Sequence, residues 1–327
     1  MHYECKDTYK PSSYEEIKEI IEIAKKKKLK VHPIGMGRNH VGKRISSEIC
    51  ISLSKLNKII EISKSDLYVT AQAGIEVQYL NNVLSSQNLF LPFYYSGSLG
   101  GLTSTNMPSF FSLIYPYPRD LILGAKILLG DGSIIRSGSR TTKFSSGYKL
   151  WKALSGSLGS LGIYLELTFR LIPKPERIVY TEVSSPLQFL QLRPFGIISQ
   201  KQQGVQHNYL ILAGFDSYLQ KISQENFFLL NDGLPNLDLQ CEKVYGISVP
   251  RGTEIEILKK FDDGIAYVGG GYVRVCDQSA LELRKNGYAV VIEKGCEDNE
   301  SCFGFSYLTF KMLKNALDPD NIFTTVL

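Results

Sequence analysis

The 327-residue chain lacks any uncharged apolar run of about 18 residues or more, the length a bilayer-crossing helix needs, so no membrane span is expected. Its opening, Met1-His2-Tyr3-Glu4-Cys5-Lys6-Asp7, is polar and contains two acids, which predicts that no secretory leader is present. Charge of one sign is also lacking. The 37 basic and 32 acidic residues leave a net +5, too weak a bias to point to nucleic acid. Six cysteines, at 5, 50, 241, 276, 296 and 302, form no CxxC pair, so neither a zinc knuckle nor an iron–sulfur cluster is encoded, and any cluster must belong to another chain. Their expected state is reduced, buried thiol in a cytoplasmic protein, with a Cys296–Cys302 bridge left open. There is no Gly-Lys-Ser/Thr after a glycine loop and no GxGxxG opening a helix, which removes the Walker and Rossmann nucleotide folds. No Ser/His/Asp arrangement, HxxxH or paired-carboxylate pattern is evident, so hydrolase and metalloenzyme readings fall away.

What is present is a chain with 43% hydrophobic residues, 21% charged residues and a mean hydropathy of −0.07, enough to build a large core. At about 150 residues per domain, two domains are expected. Ser13 and Glu16 have capping-box spacing, and Ile17, Ile20, Ile21 and Ala24 fall on one helical face, ending in the lysine run 25–28. Strands are predicted at 30–34, 48–53 and 68–73, and a helix at 78–86. Two strand-like runs, 125–129 and 133–136, flank Gly130-Asp131-Gly132 and predict a hairpin. An alternating strand at 163–171 stops at Pro173-Lys174-Pro175, a natural boundary. The reading is α+β, with domains 1–174 and 175–327. The second is the smaller, with strands at 209–212 and 272–275. A helix at 307–317 is terminated by Asp318-Pro319, and the tail, about 303–327, is a candidate to pack back on the first domain.

Three loops of the first half concentrate glycine where strands end. Glycine lets backbone N–H groups approach an anion without a Cβ in the way, and a diphosphate is the obvious guest. The loops are Pro33-Ile34-Gly35-Met36-Gly37-Arg38-Asn39, Gly97-Ser98-Leu99-Gly100-Gly101-Leu102-Thr103-Ser104-Thr105-Asn106, and Gly156-Ser157-Leu158-Gly159-Ser160-Leu161-Gly162-Ile163. Lys143-Phe144-Ser145-Ser146-Gly147-Tyr148-Lys149-Leu150 precedes the third.

In order and spacing these segments resemble the PCMH-type FAD-binding domain of the vanillyl-alcohol oxidase and D-lactate dehydrogenase family. The likeness is strongest to the branch that includes the FAD-binding subunit of glycolate oxidase. It covers residues 11–175 and the tail Leu317-Asp318-Pro319-Asp320-Asn321-Ile322-Phe323. Phe144, Lys149 and Thr324-Thr325 depart from the family pattern of Asn, Asp and Asn-Pro. The resemblance implies a two-subdomain FAD-binding domain followed by a smaller α+β cap. It also implies FAD contacts from Pro33, Ile34, Gly35, Met36, Gly37, Arg38, Asn39, Gly97, Ser98, Gly100, Gly101, Thr103, Asn106, Gly147, Tyr148, Gly156, Gly159, Gly162 and Ile163. Covalent members link flavin through a histidine of the first loop. Arg38 occupies that position here, so noncovalent FAD is implied, with Arg38 free to pair with the diphosphate; His40 is the nearest histidine.

By the same resemblance the substrate is a small 2-hydroxy acid of the glycolate or lactate type, and the partners are a second flavin subunit, an iron–sulfur subunit or both. Oxidising such an acid requires a base for the hydroxyl proton and a cation for the carboxylate. His207, Arg274 and Tyr148 are the candidates. Each has an ordinary alternative: a strand-end histidine, a solvated strand arginine and a packing tyrosine. A non-catalytic FAD-binding or scaffold subunit of a glycolate oxidase-like complex is the competing reading.

Overall fold

The computed structural model describes residues 3–38, 45–138, 149–297, 299–304 and 306–325. Two compact units divide the chain: Met1–Met107 with Pro118–Pro173 and Cys296–Leu327, and Pro108–Tyr117 with Lys174–Gly295.

The first unit begins with β1 (Tyr3–Tyr9), which the polar opening did not signal, and α1 (Tyr14–Lys27). Ser13 caps α1 through its Oγ, which accepts from the Glu16 N–H at 3.1 Å. Glu16 reaches back to the Ser12 N–H at 2.7 Å rather than to Ser13, and these bonds hold its carboxyl below the usual range. Ile17, Ile21 and Ala24 are buried, and Lys28 ends the helix in the left-handed region. β2 (Val31–Ile34) and β3 (Ile45–Ser52) complete a parallel sheet of order β1-β3-β2.

A second sheet follows from β4 (Ile59–Ser63) and β5 (Tyr68–Gln72), after which come α2 (Val77–Ser85), the short β6 (Leu89–Phe90) and α3 (Leu99–Thr105). β7 (Ile122–Leu128) and β8 (Ile134–Gly138) form the hairpin, with Gly132 at φ +86° in its turn. α4 (Leu150–Leu154), β9 (Ile163–Arg170) and β10 (Ile172–Pro173) close the unit's main segment, giving an antiparallel order β4-β5-β9-β7-β8. β9 is not the alternating strand expected. Ile163, Tyr164, Leu165, Leu167 and Phe169 are all buried, because β9 lies between β5 and β7 and is covered on both faces.

The second unit is built on an eight-stranded antiparallel sheet. Its strands are β11 (Arg177–Glu182), β12 (Gly196–Gln202), β13 (Val205–Gly214), β14 (Asn231–Asp232), β15 (Val244–Ser248), β16 (Gly264–Val268), β17 (Tyr272–Val275) and β18 (Ala289–Lys294). The order is β14-β11-β13-β12-β16-β17-β15-β18, with α5 (Asp216–Asn226) and α6 (Glu254–Leu258) among the connections. Segment 108–117, read from sequence as part of the first domain, belongs here. The Ser112 hydroxyl donates to the Val268 carbonyl at 2.7 Å, and the Leu113 N–H to the Phe195 carbonyl at 3.2 Å.

The chain then returns to the first unit with α7 (Asn299–Phe303) and α8 (Ser306–Leu317). Beyond α8 the tail runs beside β2: Val31 donates to the Ile322 carbonyl at 2.9 Å, and Thr324 to the Val31 carbonyl at 2.8 Å. Thr324, one of the two residues standing where the family pattern has Asn-Pro, also meets the Ser47 hydroxyl at 2.9 Å through its own.

The cysteines correct the expectation of reduced thiols. Cys5–Cys50, Cys241–Cys276 and Cys296–Cys302 are all disulfides, with Cα separations of 5.7–5.8 Å, inside the range a bridge requires. Each lies within one unit. The first joins β1 to β3, a tertiary proximity that spacing of 45 residues could not reveal. Among the described residues, no helix is long and apolar enough to cross a membrane.

Candidate functional site

The three glycine loops meet in the first unit. Loop one leaves β2 at Pro33-Ile34 and turns at Gly37, φ +65°, a conformation that favours glycine. Loop two is fixed by backbone bonds: Val77 donates to the Gly97 carbonyl (2.9 Å), Leu99 to Ile75 (2.8 Å) and Gly100 to Ala73 (2.7 Å). Ser98 caps α3, its Oγ accepting from Gly101 N–H at 3.1 Å. Loop three leaves α4 through Gly156 (φ +83°), Leu158 (φ +53°) and Gly159 (φ +80°) before entering β9.

Each loop touches the other two. A Cβ at Gly35 would strike the Ser98 Oγ, so loops one and two approach only because residue 35 is glycine. A Cβ at Gly159 would lie 2.5 Å from Pro33 Cγ, which joins loops one and three. Leu158 N–H donates to the Ser104 carbonyl at 3.1 Å and Gly156 N–H to the Thr103 carbonyl at 3.4 Å, tying loop three to α3. Leu158 tolerates the left-handed backbone because that bond and its glycine neighbours over-determine it.

The resulting pocket is lined by Pro33, Ile34, Gly35, Met36, Gly37, Arg38, Gly97, Ser98, Gly100, Gly101, Gly159, Gly162 and Ile163 from the three motifs. His32, Ile45, Leu53, Tyr95, Ser104, Thr105, Leu158 and Tyr164 also line it and were not anticipated. Most of these flank the glycine motifs in sequence; Ile45 and Leu53 are brought in only by the pairing of β3 with β2.

Three anticipated residues stand elsewhere. Thr103 is buried and its hydroxyl donates to the Leu99 carbonyl at 3.0 Å, so it serves α3 and not the pocket. Asn106 ends α3 at φ +47°, and its Oδ1 accepts from the Arg119 N–H at 3.1 Å. Gly156 provides a turn rather than a lining surface. Asn39, His40, the 143–148 stretch with Gly147 and Tyr148 lie outside the described residues.

The pocket fits an anionic diphosphate. Among the described residues, the N–H groups of Met36, Gly37 and Arg38 donate to no protein acceptor, while glycines keep their surroundings clear. Arg38 brings the cation, its Nη1 2.6 Å from Glu76 Oε1. Both side chains are partly exposed, so the pair is weak and an anion can compete for the guanidinium. Tyr164 donates to the Trp151 carbonyl at 2.7 Å, and burial pushes its phenol well above the usual range, so it stays neutral.

The two described catalytic candidates belong to the second unit and are bonded there. Arg274 Nε lies 2.7 Å from Glu293 Oε2, and Tyr272 OH donates to Glu293 Oε1 at 2.6 Å. Glu293 is 3% exposed, so the guanidinium balances a buried carboxylate and is not the solvated strand residue of the alternative reading. Burial raises the Tyr267 and Tyr272 phenols beside it. His207, on the exposed part of the β12–β13 hairpin, has its Nδ1 2.7 Å from Oε1 of Glu182 at the end of β11.

Residues 8–138 match the family model described as FAD binding domain. Glycolate oxidase subunit GlcD of Bacillus subtilis is 31% identical over 172 residues, 51% of this chain and 37% of that protein. D-lactate dehydrogenase of Anaerostipes hadrus is 31% identical over 173 residues, 51% of this chain and 36% of that protein. D-2-hydroxyglutarate dehydrogenase of Xanthomonas citri pv. viticola is 29% identical over 196 residues, 58% and 40% of the two chains. The chain thus spans little more than a third of the length of the curated relatives it matches. A solved structure of alkyldihydroxyacetonephosphate synthase superposes with a TM-score of 0.64 over 98% of this chain and 76% of that one, at 15% identity, a likeness of fold. Residues 8–138 are thus similar to the FAD binding domain family, and FAD is the cofactor this similarity supports.

Proposed function

We propose that this chain is the FAD-holding part of an oxidoreductase acting on a small 2-hydroxy acid of the glycolate, lactate or 2-hydroxyglutarate type. The substrate carbon gives up a hydride and its hydroxyl a proton, leaving the 2-oxo acid. The observation that carries the reading is the convergence of loops 35–38, 97–101 and 156–162 on one pocket with N–H groups of Met36, Gly37 and Arg38 left for an anion. The names of the relatives support the substrate class. FAD, when bound, supplies the hydride acceptor. The chain's own residues hold and orient it: loop one faces the diphosphate, Arg38 balances its charge without a covalent link, and the Gly159–Pro33 contact fixes the separation of the flanking loops.

A second reading has an observation in its favour. Arg274 and His207 are each engaged by a carboxylate of their own unit, so neither is an uncommitted cation or base. On this reading the chain is a non-catalytic FAD-binding subunit, and a second flavin subunit or an iron–sulfur subunit completes the reaction. The three disulfides suit a compartment in which such bonds persist; a cytoplasmic location suits them in a cell such as a hyperthermophile, whose interior keeps disulfides.

The test is anaerobic mixing of the FAD-loaded chain with glycolate, D-lactate and D-2-hydroxyglutarate. Bleaching of the flavin band by the chain alone supports catalysis here. Bleaching only after partner subunits are added supports the second reading. Failure to take up FAD overturns both.

A further inference from the structure

Among the described residues, Lys314 is the most enclosed cation of the first unit that the pocket does not use. It sits on α8, 6% exposed, and its ammonium makes three short contacts: the Ser160 carbonyl at 2.7 Å, the Phe323 carbonyl at 2.6 Å and Asp318 Oδ2 at 2.6 Å. Three N–H donors thus meet three acceptors, one from loop three and two from the tail that follows α8. Asp318, 1% exposed, is satisfied in turn, accepting from Ile322 N–H and Phe323 N–H at 2.8 Å each. Gly130 completes the enclosure, since a Cβ there would collide with the Asp318 carboxylate.

The placement of these acceptors gives the cluster its meaning. Ser160 is the fully buried residue between Gly159 and Gly162, the two glycines of loop three that line the pocket. Phe323 bridges to Val31, in the strand that delivers loop one to the pocket two residues later. One ammonium therefore braces loop three directly and loop one through β2, and neither Lys314 nor the 318–325 tail lines the pocket itself. Enclosing an ion pair is costly, and a well-packed apolar pair often replaces one without loss of stability. What an apolar pair cannot do is hold two carbonyls and a carboxylate at hydrogen-bond distance and so fix a loop's backbone.

We infer that Lys314 is a positioning residue for the FAD pocket, setting the separation of loops one and three from behind. This rests on the assignment of FAD to that pocket. Lys314→Met should raise the FAD dissociation constant about ten- to a hundred-fold, the effect of losing one charge-assisted contact of about 1.5–3 kcal/mol. The constant is read by quenching of flavin fluorescence at a temperature where circular dichroism shows the variant folded. A merely structural role would lower the melting temperature yet leave the constant within twofold, as should Glu254→Ala in the second unit; that result for Lys314→Met would overturn the inference.

A measurement on the unaltered protein makes the test independent of any variant. Coupling is reciprocal, so FAD should slow hydrogen exchange of the Ile322 and Phe323 amides along with the 156–162 loop. Unchanged exchange in 318–325 on FAD binding would equally overturn it. Absence of FAD binding by the unaltered protein would instead defeat the cofactor assignment.

Discussion

The glycine clusters of the two units have the same backbone freedom and end in opposite arrangements. In the first unit, loops 35–37, 97–101 and 156–162 close on one another and leave the N–H groups of 36–38 without a protein acceptor among the described residues. In the second, Gly269-Gly270-Gly271 also bends its N–H groups inward, but the chain supplies the anion. Glu254, fully buried, accepts from Gly269 and Gly271 at 2.9 Å each and from Gly252 at 2.8 Å. The triple glycine before Arg274 wraps an internal carboxylate. A glycine cluster in sequence therefore marks a backbone concavity, and whether a ligand or the protein fills it depends on a residue elsewhere in the chain.

The sharpest way to break this contrast is to add a side chain where loops one and two meet. Gly35→Val must displace Ser98, and its flavin-to-protein ratio should fall below about a tenth of the unaltered value while circular dichroism reports a folded chain. A folded variant with full flavin content would move the diphosphate elsewhere.

The disulfides test whether both units depend on covalent staples. Denatured without reductant, the protein should show no titratable thiol, and six after reduction. Breaking Cys5–Cys50 or Cys241–Cys276, whose partners stand 45 and 35 positions apart, should lower stability by about 4 kcal/mol each in a chain-entropy account, read from denaturant midpoints. Free thiols in the unreduced sample would contradict the pairing.

Glu254→Ala examines the filled concavity. It leaves three N–H donors, that of Gly271 buried, without their acceptor, and a loss of about 3 kcal/mol is expected in the second unit, with flavin content unchanged. A drop in flavin content would link the two clusters.

The smallest effect concerns alkaline pH. Burial is the main cause that raises the Tyr14 phenol to about 12, and Gln72 Nε2 donates to its oxygen at 3.0 Å. The unfolded chain loses this proton near pH 10 while the folded one retains it. The contribution is therefore complete below about pH 10 and disappears as pH rises toward about 12. Tyr14→Phe should make the denaturant midpoint slightly less sensitive to pH across that window. Tyr272 in the second unit and Tyr164 in the first, both raised by burial, should contribute to what remains.

Much of the first unit was legible because its signals are local. Ser13 with the Ile17–Ala24 face specified α1, and Gly130-Asp131-Gly132 specified the β7–β8 turn. The glycine motifs named most of the pocket's motif residues, since φ values such as those of Gly37 and Gly159 are set where they stand in the chain. Thr103 and Asn106 were misplaced because a motif gives order but not the side of a helix each residue faces, and α3 turns Thr103 inward. The second unit was far less legible, with its nonlocal strand order and its segment 108–117 drawn from within the first half of the chain.

By itself the sequence determined the cap and apolar face of α1, the hairpin and the glycine loops that turn toward the pocket, all of which depend on residues within a few positions of one another. Only the tertiary structure decided that Arg274 answers Glu293, that Glu254 fills the second glycine cluster, that all six cysteines pair, and that Lys314 reaches Ser160, 154 positions earlier in the chain. Those outcomes turn on which distant charge or sulfur reaches a buried site, and the cost of leaving a buried group unpartnered is felt only after the chain has closed around it.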